Sequence, residues 1–503
     1  MVRPFIRAIA SEAPATWLPH ESEPSSPYDC QVDEVADLRT TRGWWMDEAL
    51  ADDPGDPCPP LATDTAADVV ILGGGYSGMW TAYFLKERDP GIDVVLLEQD
   101  ICGGGPSGRN GGFVTGYWGS IGELARRFGD GDALELCLAA SRSVAEIGRF
   151  CQRNDIDAWF TFGGELAVAS NPFQEGSWGA ELDEARRLGA EDEFVELSAD
   201  EVRKRVDSPV LLGGVFHPDA ATVQPARLAR GLRRVLLERG VRIYEGTPVR
   251  RFAAGPPAVA EMPDGSVQAA DAVIGVGSWG IHWKRFRRHL AVRGSYIVLT
   301  EPAPERLEEI NWTDGEALRD LRPSLHYVRT TPDGRIAMGC AGMQPGLARR
   351  IGPRFTYDER FLRTAAADLH RMFPTFRDVP LAAGWGGPID VAGTYLPFFG
   401  SSRSGTVHHG LGFTGNGVGP CHLGGQILAS LAMHAEDGFS RLALVNREPL
   451  RFPPEPIRSP GMLVVNEAIR RKDDAEDRGR RPNPFVTFVA RIPRRLGYNL
   501  GPR

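Results

Sequence analysis

The chain of 503 residues carries a formal net charge of −9 with acidic and basic side chains interspersed, which excludes a general attraction to nucleic acid or to anionic lipid. Length alone suggests roughly three domains, and two are expected here. The seven cysteines, Cys30, Cys58, Cys102, Cys137, Cys151, Cys340 and Cys421, are scattered and form no CxxC pair, so a disulfide framework or a zinc site is not expected and a reduced, cytoplasmic setting is. Arg3 and Arg7 are followed by Ser11, Glu12 and prolines, which interrupt any signal-peptide core, and no apolar run approaches bilayer-spanning length.

Residues 1–65 are rich in Pro, Asp, Glu and Ser and read as an N-terminal extension, part of which is expected to wrap the body because Trp17, Trp44 and Trp45 are costly to leave in water. The stretch Asp68 to Asp100 organises the rest of the chain. Strand formers Val69 to Leu72 lead into Gly73, Gly74, Gly75, Tyr76, Ser77 and Gly78 and then into a helix through Leu85. This strand, glycine turn, helix order is that of a dinucleotide site. Gly73 permits the turn, Gly75 lets the backbone approach a pyrophosphate and Gly78 allows close helix packing, with the phosphate at the helix N-terminus. A second strand, Val94 to Leu97, ends in Glu98, placed to hold ribose hydroxyls.

Gly103 to Phe113 forms a second glycine-rich loop in which Arg109 and backbone amides can neutralise a phosphate. Ile121 to Asn154 reads as helices broken at Gly129 to Gly131, Trp159 to Ala169 as strands, and Ser198 to Glu201 as a capping box. Pro225 to Glu238 is a helix stopped at Gly240. Hairpin turns are expected at Asp264-Gly265 and Asp333-Gly334, the strand Ala272 to Val276 returns the chain to the nucleotide sheet, and Phe361 to Phe373 is a further helix. A third glycine-rich region, Gly384 to Gly425, leads into an apolar helix, Ile427 to Met433. Beyond Arg447 the chain becomes proline- and charge-rich, with 469–482 expected as a solvated helix and loop.

Together, Gly73-Gly74-Gly75-Tyr76-Ser77-Gly78 with Glu98, Ser107-Gly108-Arg109-Asn110-Gly111-Gly112, the segment Thr222 to Leu232, and Gly412 to Gly419 resemble the D-amino-acid oxidase and glycine oxidase superfamily of FAD-dependent oxidoreductases. The nearer likeness is to its gamma-glutamylputrescine oxidase branch. The resemblance implies an α/β fold: a Rossmann-like, glutathione-reductase-like FAD-binding domain (66–150, 218–290 and 383–440), interleaved with an α+β substrate domain on an antiparallel sheet (151–217 and 291–382), and followed by a tail (441–503). It implies that Gly73, Gly75, Tyr76, Ser77 and Gly78 face the pyrophosphate and Glu98 the ribose. Ser107, Arg109, Asn110, Gly111 and Gly112 would line the phosphates and the ring side. Gly415, Asn416, Gly417 and Val418 would set a helix N-terminus near the flavin pyrimidine, where its positive end stabilises developing negative charge. Loop 107–112 holds no histidine and Gly386 to Asp390 no cysteine, so noncovalent FAD is expected; Cys340 is the one thiol to watch.

The expected chemistry is oxidation of a small-molecule amine or amino acid, with electrons passed to oxygen or another acceptor. His326, Tyr327, Arg329 and Trp385 are the candidate substrate contacts. Alternation along a strand sets His326 and Tyr327 on opposite faces, so only one of them can meet the pocket. Tyr117 and Trp118 are candidates for the flavin edge. His408 and His409 point apart on a strand and do not suggest a metal site. A lone Cys102 argues against a disulfide reductase. A nicotinamide dehydrogenase, a flavin dehydrogenase of a non-amine substrate and a noncatalytic flavin-binding subunit remain as alternatives.

Overall fold

The computed structural model describes residues 42–347 and 350–499; Trp17 lies outside them. Two eight-stranded sheets organise the chain. In the first, the strand Thr65–Leu72 is central, with Val94–Leu97 and Gly265–Ile274 parallel to it on either side. Arg242–Tyr244 and Val407–Leu411 extend these parallel neighbours outward. The buried run Val69 to Leu72 explains the central place, since a parallel strand covered on both faces must be apolar without alternation. An antiparallel meander, Arg251–Ala253, Ala258–Met262 and Gly265–Ile274, turns at Asp264-Gly265 as expected. Helix Tyr76–Arg88 covers one face and packs on helix Val418–Ala432 so tightly that a Cβ at Gly425 would come within 2.5 Å of the Trp80 Cβ.

The second sheet runs, in spatial order, Leu381–Ala392, Leu290–Thr300, Ile336–Pro345, His326–Thr330, Ala317–Asp320, Glu165–Val168, Gly214–His217 and Val195–Leu197. Every pairing is antiparallel except that of Ala317–Asp320 with Glu165–Val168. Leu381–Ala392 corrects one expectation. The glycine-rich run 384–387, placed with the cofactor domain from 383 onward, is instead an edge strand of the second sheet. Its glycines are needed there because the pairing is crowded: a Cβ at Gly386 would meet the Tyr296 ring and the Phe355 carbonyl oxygen at 2.7 Å.

The helices follow the sequence closely where cap chemistry marks them. Pro225–Glu238 has proline in its first turn and a Gln224 side-chain cap, and Ala199–Arg205 opens on the Ser198/Glu201 capping box. Helix Val418–Ala432 begins nine residues before the apolar run that announced it. Trp44 and Trp45 open helix Trp44–Asp52, which lies on the body with Trp45 fully buried. The C-terminal stretch is less solvated than its charge suggests: helix Arg458–Asp477 buries Asp473 and Glu476, and helix Pro484–Arg495 packs against it. Among the described residues no helix is long and apolar enough to cross a membrane.

Candidate active site

A cavity of about 1410 Å³ is lined by residues of both sheets and by all three glycine-rich regions, which is more than a drug-sized ligand needs. Gly73 follows the central strand with φ +108°, and a Cβ there would lie 2.5 Å from the Gly275 carbonyl oxygen. At Gly78 a Cβ would overlap the Gly73 carbonyl. Glycine is therefore required by backbone approach at both positions. The amide of Tyr76, in the first turn of the helix, donates to Ser107 Oγ at 2.9 Å, so the second loop closes over the first. Glu98 accepts the amides of Gly74 and Asp100 at 2.8 and 2.9 Å. Burial raises its pKa while those two bonds oppose the rise. Its carboxylate keeps lone pairs for a pair of vicinal hydroxyls.

In the second loop Asn110 is a local brace: its amide donates to the carbonyls of Pro106 and Ser107, and its oxygen accepts the Gly112 amide. Arg109 is buried, with Nε donating to the Gly104 carbonyl, and Trp385 Nε1 donates to the Arg109 carbonyl at 2.9 Å. Burial lowers the Arg109 pKa. Within the third region Gly417 is the N-cap of helix Val418–Ala432, with no side chain capping its amides. Asp390 fixes this approach by accepting the Gly412 amide at 2.6 Å, and burial pushes it up to about 6. Asn416 bonds Thr115 and Gly116, tying the third region to the second. A dinucleotide fits what these loops offer: a glycine cradle that any Cβ would fill, a carboxylate for ribose, and an uncapped helix N-terminus on one wall.

Opposite the loops, the second sheet presents Arg293, Ser295 and Tyr327 to the cavity. The Tyr327 ring lies over Gly111, where a Cβ would stand 2.7 Å from it, and its hydroxyl shares a 2.7 Å hydrogen bond with Ser295 Oγ. Burial raises the Tyr327 pKa, with the Ser295 bond opposing, so the phenol stays neutral. Burial lowers the Arg293 pKa, and its guanidinium bonds Asn466 Oδ1 of the C-terminal helix.

The structure separates the four candidate substrate contacts. Tyr327 is on the cavity wall; His326, Arg329 and Trp385 are not. His326 points through the opposite face of the sheet into a buried ionic cluster with Asp320, Arg322 and Asp368, where Cys340 also lies. Burial and Arg322 oppose protonation there, yet the acids raise the His326 pKa well above its ordinary value. The His326, Cys340 and Asp368 grouping could hold a cation by geometry, but the Arg322 guanidinium packs against His326 there. Arg329 and Trp385 share Tyr327's face but lie farther along, under helix Trp44–Asp52. Trp45 meets Trp385 edge-on at 5.7 Å and faces the Arg329 guanidinium at the same distance, and burial lowers Arg329 to about 9. Tyr117 and Trp118 do line the cavity. His408 bonds Asp271 and His409 packs on Phe286, away from each other.

Sequence reasoning missed Arg293, Asp390 and a polar group of Glu165, Glu181, His217, Asp219 and Arg319, all on the cavity wall. Asp390 lies within the third glycine-rich region; the others come from separated segments without a shared spacing.

Residues 68–431 match the family described as FAD dependent oxidoreductase (DAO). The gamma-glutamylputrescine oxidoreductase of Escherichia coli K12 is 27% identical over 392 residues, 77% of this chain and 88% of the relative. Glycine oxidase of Bacillus licheniformis is 26% identical over 342 residues, 66% and 84% of the two chains. The crystal structure of glycine oxidase from Geobacillus kaustophilus superposes with a TM-score of 0.62 at 19% identity, covering 76% of this chain and 99% of that one. These matches agree with the superfamily and the branch that the glycine motifs resembled. The chain belongs to the DAO family of FAD dependent oxidoreductases.

Proposed function

We propose that this oxidoreductase oxidises the C–N bond of an amine or amino acid, giving an imine that water hydrolyses, with oxygen or another acceptor taking the electrons. The observation that carries the reading is the cavity in which Tyr327 and Ser295 face the glycine loops. The names of the relatives supply the substrate class: a gamma-glutamylputrescine oxidoreductase and a glycine oxidase.

Bound FAD supplies the hydride acceptor. On this reading Gly73, Gly75, Tyr76, Ser77 and Gly78 hold the pyrophosphate and Glu98 the ribose. Ser107, Arg109, Asn110, Gly111 and Gly112 form the ring-side loop, and Gly415, Asn416, Gly417 and Val418 bring the helix N-terminus toward the pyrimidine. The parallel order of the first sheet supports a Rossmann-like domain of the glutathione-reductase type. Tyr327 and Ser295 orient the substrate as neutral hydrogen-bonding groups, and the sheet excludes water behind them. Cys340 lies behind the sheet, off the cavity wall, which supports noncovalent FAD. His326, Arg329 and Trp385 act by holding the sheet and the Arg109 loop in place.

The test is an absorption spectrum before and after acid precipitation, then anaerobic mixing with primary and secondary amines. Flavin released by acid and bleached by an amine is the expected result. Yellow protein bleached by a 2-hydroxy acid but by no amine would refute the substrate class.

A further inference from the structure

We infer that the end of the cavity remote from the glycine loops is built to hold a second ammonium group, so that the preferred substrate is a long diamine or polyamine. This rests on the amine-oxidation reading and names the substrate class it leaves open.

The first ground is a set of unmet polar atoms. His217 Nδ1 and Asp219 Oδ2 are buried on the cavity wall without a hydrogen-bond partner. His217 is only 8% exposed, and leaving a buried polar atom unpaired is unfavourable, a penalty that a ligand can relieve. Burial pushes the His217 imidazole down to about 4, and its ring also faces the Glu193 carbonyl. Donation to that carbonyl leaves the other nitrogen, Nδ1, as an acceptor. Acceptors of this kind suit the three donors of an ammonium.

The second ground is charge. Glu165 is taken by Arg319 at 3.1 Å, and Glu123 by Arg126 and Arg127. Because Arg126 and Arg127 share Glu123, the four carboxylates Glu123, Glu165, Glu181 and Asp219 and the three guanidiniums leave one net negative charge, and among the described residues Glu181 and Asp219 have no ion-pair partner. Burial pushes Glu181 up to about 7 although Arg319 opposes the rise, as befits a carboxylate without a cation of its own. A ligand ammonium would supply that cation.

The third ground is position. Tyr327 is paired with Arg319 and Arg319 with Ala167 on the next strand, and Glu165, two residues back on that strand, is paired with His217. Cross-strand partners share a face, so these groups form a polar track along the cavity side of the sheet. Strands lie about 4.8 Å apart, and three steps set His217 about 14 Å from the Tyr327 strand. A C–N bond reacting beside Tyr327 would place a distant second amine, not an adjacent one, among Glu181, His217 and Asp219.

The experiment is anaerobic titration of the FAD-loaded enzyme with diaminooctane and with octylamine, monitoring flavin bleaching. The diamine should half-saturate at a concentration at least about tenfold lower, a preference of about 1.4 kcal/mol, whereas diaminobutane, too short to span the track, should gain nothing over butylamine. Asp219→Asn and Glu181→Gln should each shrink the octyl preference toward unity. Equal half-saturation by diaminooctane and octylamine overturns the inference while leaving amine oxidation intact. Failure of every amine to bleach the flavin overturns both, and the two failures are distinguished by whether octylamine reacts.

Discussion

His326 and Tyr327 are neighbours on one strand and meet opposite fates. Behind the sheet, His326, Asp320, Arg322, Asp368 and the tail residue Asp477 are ion-paired with one another. On the cavity side, His217 and Asp219 keep buried polar atoms with no partner. A buried charge that is fully paired belongs to the architecture, and one left unpaired at a cavity wall awaits a ligand. Mutation can distinguish these, because the first kind should move stability and the second binding.

The largest effect is expected behind the sheet. Arg322→Met removes the guanidinium that Asp320, Asp368 and Asp477 share and should cost about 3–5 kcal/mol, read as a lower Tm with an unchanged flavin spectrum. An unchanged Tm would erase the contrast. The pH dependence should track the same cluster. The His326 pKa is raised on folding, so its contribution is complete below about 6.5, its unfolded value, and is lost as pH rises through the higher folded value. Wild type should therefore lose more stability on the alkaline side than His326→Gln does, as measured by denaturant midpoints.

On the cavity side, Tyr327→Phe removes the hydroxyl shared with Ser295. It should change stability by about 1 kcal/mol or less yet slow flavin reduction by an amine about tenfold in stopped-flow. Glu181→Gln should have the smallest and opposite effect on stability. The folded pKa of Glu181 is raised from 4.5 to about 7, so ionisation destabilises the fold as pH rises from about 4.5 to about 7, and the penalty persists above. The variant should match wild type in Tm at pH 4 and equal or exceed it at pH 8.

The cofactor half was legible because its glycines are dictated by local backbone geometry: a φ of +108° at Gly73 is written in one residue. The substrate half was legible only as strands and turns. Alternation showed that His326 and Tyr327 diverge, but which of them meets the cavity depends on pairing with segments far away in the chain. The run Gly384 to Gly387 was misplaced for a related reason. Glycine announces a turn when read alone, whereas here it admits the Tyr296 ring and the Phe355 carbonyl beside a regular strand. Glu165, Glu181, His217 and Asp219 leave no motif, since the second sheet and the helix Gly179–Arg187 bring them together only in three dimensions.

The central strand Thr65–Leu72 is an early piece of chain, but one of its partners, Gly265–Ile274, is made roughly 200 residues later, and Val407–Leu411 later still. Such long-range pairing slows folding and leaves strand edges open meanwhile. During synthesis, therefore, the first glycine turn emerges long before the sheet that supports it, and the nucleotide half is completed only when most of the chain has left the ribosome.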